Sequence, residues 1–258
     1  VAGRLGAGWR DSFERSLHRA TSATQYPPDT VTVWRPDGRI VQFQQQGGAW
    51  LSDGDVQDQL SELTSNGTTT GWQLRLAADD SLEEYDAEGK LISIATRARQ
   101  RVTLSYSDAT SPASIAPISG LLLAVQDDFG HRLAFTYDGA ARLVQMTDPD
   151  GKAYGYAYDA NGNLASVTYP DGSTRSYVYE NSSLTNALTG IVDENGTRFA
   201  NFAYDAQGRA TLTEHAGGVE RHTFAYGSLQ TTVTDPLGTA RLYTFQNVQY
   251  GLSSSGMS

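Results

Sequence analysis

From about residue 83 to residue 246, large apolar residues alternate with small or polar ones, and a Tyr-Asp pair breaks the alternation at regular intervals. Tyr154, Tyr156 and Tyr158 alternate with Gly155 and Ala157. Leu133, Phe135 and Tyr137 alternate with Ala134 and Thr136, and Val102, Leu104 and Tyr106 follow the same rule, as do Phe202 with Tyr204, Phe224 with Tyr226 and Tyr243 with Phe245. A period of two predicts strands with one aromatic face to bury and one face turned to water. After each Asp the pattern predicts a short turn. Tyr85-Asp86-Ala87-Glu88-Gly89-Lys90-Leu91, Tyr158-Asp159-Ala160-Asn161-Gly162-Asn163-Leu164 and Tyr204-Asp205-Ala206-Gln207-Gly208-Arg209-Ala210 share the form Y-D-A-x-G-x-[LA]. Asp can cap such a turn, and Gly suits a left-handed residue in a G1 bulge. In the copy at Tyr137-Asp138 the turn glycine is replaced by Ala141.

The return strands carry apolar pairs three apart: Leu91 with Ile94, Leu143 with Met146, Leu164 with Val167. In a regular strand that offset puts the two on opposite faces, so a bulge between them or burial on both faces is expected. A second set of turns links one hairpin to the next, at Asp148-Pro149-Asp150-Gly151, Pro170-Asp171-Gly172, Asp193-Glu194-Asn195-Gly196 and Asp235-Pro236-Leu237-Gly238. Pro fixes φ and Gly accepts positive φ, so these predict tight reversals. Tyr137, Tyr158 and Tyr179 follow one another at intervals of 21 residues, the mark of a repeat architecture. A single hairpin buries too little apolar surface to offset its ordering entropy. Neighbours must therefore stack Tyr against Tyr into a continuous antiparallel sheet that curls as it twists.

Residues 1–82 lose the period and keep the vocabulary. Val31 to Phe43 predicts a hairpin around Arg35-Pro36-Asp37-Gly38, and Trp50 and Gly71 to Leu76 predict two further strands. Val56, Leu60 and Leu63 have helical spacing, which predicts a short helix near 55–64, whereas Phe13 and Leu17 fit a helix or a strand. The Ser/Pro/Ala stretch at 109–119 reads as a surface loop. The expected organisation is an irregular β region at 1–82, the hairpin array at 83–250 and a flexible tail at 251–258.

Composition supports an all-β chain: 14 Tyr and 26 Gly in 258 residues supply strands and turns. The net charge of −10 argues against an electrostatic grip on nucleic acid. Without cysteine there is no disulfide framework or thiolate site. The longest apolar run, Leu121 to Val125, is strand-sized, so no membrane insertion is expected. The start at Val1-Ala2-Gly3-Arg4 does not look like a signal peptide, and the chain reads as a piece of a longer polypeptide.

Candidate chemistry is thin. His215 and His222 flank Gly217-Gly218 and could face each other across a hairpin, but no carboxylate or cysteine stands at ligand spacing. Asp53-Gly54-Asp55 and Asp148-Pro149-Asp150-Gly151 are similar to calcium loops without the closing Glu, and turn capping explains them better. Glu83-Glu84 and Asp127-Asp128 could pair as acid and base, although exposed turns are their more natural setting. Gly251-Leu252-Ser253-Ser254-Ser255 lacks the second glycine of a nucleophile elbow. No catalytic residue, cofactor or metal ligand is assigned.

The tandem Y-D-A-x-G-x-L copies, Gly162-Asn163-Leu164 followed by Val167-Thr168-Tyr169-Pro170-Asp171-Gly172, and Gly8-Trp9 near the start resemble the Rhs/YD-repeat family. That family includes bacterial Rhs polymorphic toxins, C components of insecticidal toxin complexes and the teneurin ectodomain. The resemblance implies a hollow β-shell, a spiralling strip of hairpins that encloses a C-terminal toxin. It also implies self-cleavage at a closing segment, which is not recognisable here. The implied function is a non-enzymatic shell segment that encapsulates or displays a toxin or effector, secreted or translocated from a bacterium. Its partners would be the enclosed toxin, neighbouring shell segments and secretion machinery. The alternative is a secreted or surface adhesion module that binds glycan or protein through its aromatic or loop surface.

Overall fold

The structure, a computed structural model, describes residues 3–20, 29–248 and 251–257. Its contacts divide the chain into two compact units, Val1–Tyr154 and Gly155–Ser258. The division falls inside the hairpin array, not at its start near residue 83.

The first unit holds β1 (Ser16–Ala20), β2 (Thr30–Trp34), β3 (Ile40–Gln46), β4 (Ala49–Leu51), β5 (Gln59–Ser65) and β6 (Thr68–Arg75). It continues with β7 (Leu82–Asp86), β8 (Leu91–Ala95), β9 (Arg101–Tyr106), β10 (Leu122–Asp127), β11 (Arg132–Tyr137) and β12 (Leu143–Thr147). Each strand pairs antiparallel with the next in chain order, the expected hairpin array. Alternation along the strands points Val31, Val33, Val41, Phe43, Leu60, Trp72, Leu74, Tyr85, Leu91, Leu104, Leu122, Phe135 and Tyr137 into one buried core.

This sheet curls. Six inter-strand steps separate β1 from β7, and at about 4.8 Å each a flat sheet would hold them roughly 30 Å apart. Instead the Leu17 N–H donates to the carbonyl of Gly89, in the turn after β7, at 2.8 Å, and Ser16 bridges Lys90. Gly89 has φ 84°, and a Cβ there would stand 1.8 Å from the Leu17 carbonyl oxygen. Only glycine allows both the turn and the closure.

No helix forms at 55–64: β5 covers Gln59–Ser65, with Leu60 buried and Leu63 38% exposed. The spacing that suggested a helix spans a loop and a strand. Leu17 lies in β1 and is buried. The 109–119 stretch is a loop, yet it is tucked in: Ala116 is buried and the Ile115 carbonyl accepts the Tyr137 N–H at 2.8 Å.

The unit boundary falls within β13 (Ala153–Tyr158), and the second unit continues with β14 (Leu164–Thr168), β15 (Thr174–Val178), β16 (Gly190–Val192), β17 (Arg198–Tyr204), β18 (Ala210–His215), β19 (Val219–Gly227), β20 (Gln230–Thr234), β21 (Ala240–Val248) and β22 (Gly251–Met257). These too pair in chain order. Residues 251–257, expected as a flexible tail, pair with β21. The aromatic ladder is present but half-buried: Tyr156, Tyr158, Tyr177, Tyr204, Phe224 and Tyr226 are all partly accessible. Leu164 and Ala200 are the buried apolar side chains among the described residues of this unit. The sequence-based expectation of a buried Tyr face therefore holds at Tyr85 and Tyr137 and only partly here.

Candidate functional site

The repeat uses its polar groups in its own construction. In each strong copy the Asp backbone carbonyl accepts the N–H of the residue three later, at 3.1 Å from Gly89, 2.9 Å from Ala141, 3.1 Å from Gly162 and 3.0 Å from Gly208. The Asp side chain then accepts the N–H groups at i+2 and i+4: Asp138 from Ala140 and Arg142, Asp159 from Asn161 and Asn163, Asp205 from Gln207 and Arg209. Asp148, Asp193 and Asp235 cap the linking turns in the same way. The calcium-like loop at Asp148 is thus a capped turn. Burial works against the charges of Asp138 and Asp159, but these N–H donors, with the Arg142 side chain at Asp138 and the Asn163 side-chain amide at Asp159, hold both carboxyls below the usual range.

The bulge inferred from the Leu-x-x-Val offset is present. Tyr85 pairs with Leu91 while Glu84 pairs with Ser93, leaving Ile92 extra. The same slip occurs after Leu143, Leu164 and Ala210. A bulge interrupts the ladder, and the next Tyr hydroxyl covers the carbonyl exposed there. Tyr106 donates to the Leu91 carbonyl at 2.6 Å, Tyr137 to Leu122 at 2.7 Å, Tyr179 to Leu164 at 3.1 Å and Tyr226 to Ala210 at 2.7 Å. At these four places one phenol clamps a hairpin to its predecessor, whereas Tyr85 donates to the Glu83 carboxylate and Tyr204 to the Leu188 carbonyl. The regular Tyr spacing was the only sequence trace of this clamp.

The carboxylate pairs do not form acid and base couples. Glu83 and Glu84 are neighbours on one strand and point to opposite faces. Glu83 is fully buried, accepting from Arg15, from Arg35 at 2.5 Å and from the Tyr85 hydroxyl at 2.5 Å. Burial opposes its charge, but the hydrogen bonds from Arg35 and Tyr85 and both guanidinium charges prevail and keep its pKa low. Burial, with Glu83 beside it, pushes the Tyr85 phenol well up. This cluster joins the segment before β1, the end of β2 and β7, and so locks the curl of the first unit. Glu84 accepts from Gln73 and Ser93 on the other face. Asp127 caps its turn and holds His131 Nδ1 at 2.8 Å, whereas Asp128 accepts the Arg101 N–H at 2.8 Å.

His215 and His222 are not opposed: β18 and β19 pair His215 with Val219 and Thr213 with His222. His215 packs edge-on against Phe199 at 4.8 Å. No group of three or more His, Asp or Glu able to hold a metal occurs among the described residues. In the second unit a shallow groove of about 390 Å³ is lined by Glu180, Thr189, Arg198, Asn201 and Tyr204. Arg198 there donates to both Glu180 oxygens at 3.3 and 3.0 Å, to Asn201 at 3.0 Å and to the Thr189 carbonyl at 2.9 Å. These donors serve the β15–β17 connection. Among the described residues no helix is long and apolar enough to cross a membrane.

The RHS repeat family model matches residues 119–153, 137–174 and 158–182. No curated protein matches the chain. Solved structures of toxin-complex proteins are similar. TcdB2-TccC3-TEV is 14% identical with a TM-score of 0.40, covering 88% of this chain and 15% of that one. TcdB2-TccC3 is 11% identical with a TM-score of 0.35, covering 88% and 16%. The Photorhabdus luminescens Tc holotoxin pore is 12% identical with a TM-score of 0.32, covering 88% and 15%. The chain thus spans about 15% of the length of these structures. The repeat model covers 119–182, and the same clamp recurs before it at Tyr106 and after it at Tyr226, together with the Asp-capped turns at Asp86 and Asp205. Residues 119–182 are thus RHS repeats by the family model, and the same turn and clamp chemistry continues on both sides of them.

Proposed function

We propose that this chain is a structural segment of a β-shell whose role is to enclose or display another polypeptide, without catalysis of its own. One observation carries the reading: the residues that define the repeat are consumed in building it. Asp caps its own turn, Gly or Ala141 adopts the left-handed conformation, and Tyr clamps the preceding hairpin. A repeat whose polar groups serve its own construction builds a wall. The whole polypeptide would hold a C-terminal toxin or effector, contact further shell segments and leave a bacterium by secretion or translocation. Limited proteolysis of the whole polypeptide tests this. The enclosed region resists protease while the wall is intact and is digested once the wall is breached, whereas equal digestion of both forms contradicts enclosure.

A second reading rests on the half-exposed aromatic ladder of the second unit. Tyr and Phe faces open to water can stack on sugars or dock a protein, as an adhesion module would require. A glycan panel titrated against the tyrosine and tryptophan fluorescence of the chain decides it. A null result across the panel removes that reading.

A further inference from the structure

We propose that Asn66 is a preferred site of spontaneous deamidation, set apart from the other Asn-Gly pairs by the turn that holds it. The sequence contains three such pairs: Asn66-Gly67, Asn161-Gly162 and Asn195-Gly196. The reaction begins when the glycine backbone nitrogen attacks the asparagine side-chain carbonyl carbon. A C–N bond forms, the side-chain amide nitrogen leaves as ammonia carrying the proton lost from the backbone nitrogen, and a succinimide remains. Water then opens the ring at either carbonyl to give aspartate or isoaspartate. The only co-reactant is water.

All three asparagines sit in hairpin turns, but two of the three attacking nitrogens are engaged. Gly162 donates to the Asp159 carbonyl at 3.1 Å and Gly196 to the Asp193 carbonyl at 3.0 Å. The Asn161 and Asn195 N–H groups are also held, at 2.9 and 3.0 Å, by the same two aspartates. Ring closure there must first break the turn. Asn66 and Gly67 are instead the two central residues of the tight β5–β6 reversal, with φ 50° and 76°, the backbone of a type I′ turn. In such a turn the closing hydrogen bond runs between the flanking residues, Ser65 and Thr68, which pair in the register. Gly67 N–H has no acceptor among the described residues, both residues are exposed, and a Cβ added to Gly67 would meet nothing within 4 Å. The nucleophile is free and the space for a five-membered ring is open. The product adds a carboxylate to a chain already at −10. As isoaspartate it also lengthens the backbone at the turn that sets the β5–β6 register.

Trypsin separates the three pairs, into peptides 40–75, 153–175 and 176–198. The folded chain is aged at mildly alkaline pH, digested and analysed by mass spectrometry with chromatographic resolution of isoaspartate. The expected result is modification of 40–75 at least about fivefold faster than of the other two, the factor associated with breaking one ordinary hydrogen bond. In denaturant the three rates converge. N66Q, which would need a six-membered ring, removes the 40–75 signal while the chain stays folded. Equal rates in the folded chain overturn the proposal, and so does a lead for 40–75 that persists in denaturant, since local sequence would then set the preference.

Discussion

The two units are built from one hairpin rule and differ in what the rule encloses. In Val1–Tyr154 the sheet curls until β1 meets the turn after β7, and the interior fills with Phe43, Trp72, Leu74, Tyr85, Leu91 and Leu122. In Gly155–Ser258 the same alternation leaves its aromatics partly accessible, with Leu164 and Ala200 as the buried apolar side chains among the described residues. Local chemistry is the same in both: capped Asp, left-handed turn residue, bulge and Tyr clamp. The repeat therefore specifies hairpins and their stacking. Burial comes from closure, which depends on residues outside the repeat, above all Arg15, Arg35 and Leu17 meeting Glu83 and Gly89.

That contrast can be broken most sharply at Glu83. Glu83→Gln leaves two arginines facing a neutral group in the core and is expected to lower stability by about 3–5 kcal/mol, the usual cost of breaking a buried pair. Glu180→Gln removes an exposed partner of Arg198 in the second unit and should change stability by less than about 1 kcal/mol. Urea titration of the two variants checks both, and comparable losses would mean that the Glu83 cluster does not lock the curl.

A second pair sits at one position of the repeat. Gly208→Ala, whose nearest neighbour is Leu184 Cδ2 at 3.9 Å, meets only the left-handed strain of about 1–2 kcal/mol. Ala141, at φ 61°, already tolerates that strain. Gly89→Ala adds a backbone collision with Leu17 and is expected to cost about 3 kcal/mol or more, in the upper range for single substitutions. Thermal denaturation reads the difference, and equal shifts in Tm would show that Leu17 and Gly89 yield without cost.

The hydroxyl clamp gives a smaller contrast. Tyr137→Phe strands the buried Leu122 carbonyl and should cost about 1–3 kcal/mol, whereas at Tyr226, where water can reach the Ala210 carbonyl, Tyr→Phe should cost about 0.5 kcal/mol. If neither substitution matters, the phenols pack without clamping.

Acid sharpens the comparison further. The folded-state pKa of Glu83 lies below its ordinary value, so its contribution is full above the unfolded value of about 4.3 and is lost as pH falls through the lower folded value. Trp9, Trp34, Trp50 and Trp72 all belong to the first unit, so tryptophan fluorescence reports that unit alone. Its stability, followed by urea titration at successive pH values, should hold above about pH 5 and decline below about pH 4. A rise in stability as pH falls through that range would reverse the assigned sign.

Most of the local structure was legible in the sequence because it is set by neighbours a few residues apart. The Y-D-x-x-G turns, the linking turns and the bulge after Leu91, Leu143 and Leu164 followed from spacing alone. Long-range partnerships were not legible. Nothing near Glu83 in sequence announces Arg15 or Arg35, and the Tyr hydroxyl acceptors lie 15 or 16 residues upstream, outside any local pattern. The helix expected at 55–64 failed because three apolar residues at helical spacing straddle a loop and β5, where the sheet decides which face is buried. The His215–His222 pairing failed because the 3-10 turn at Ala216–Gly218 offsets the register.

Native-state hydrogen exchange, resolved by peptide across the whole chain, tests the central claim most directly. Closure should protect the amides of β6 and β7 far more strongly than those of β18 to β20, although all of them lie in hydrogen-bonded hairpins of the same design. Equal protection in the two sets would contradict the account, since the repeat would then supply the stability that is assigned here to the curl around Glu83.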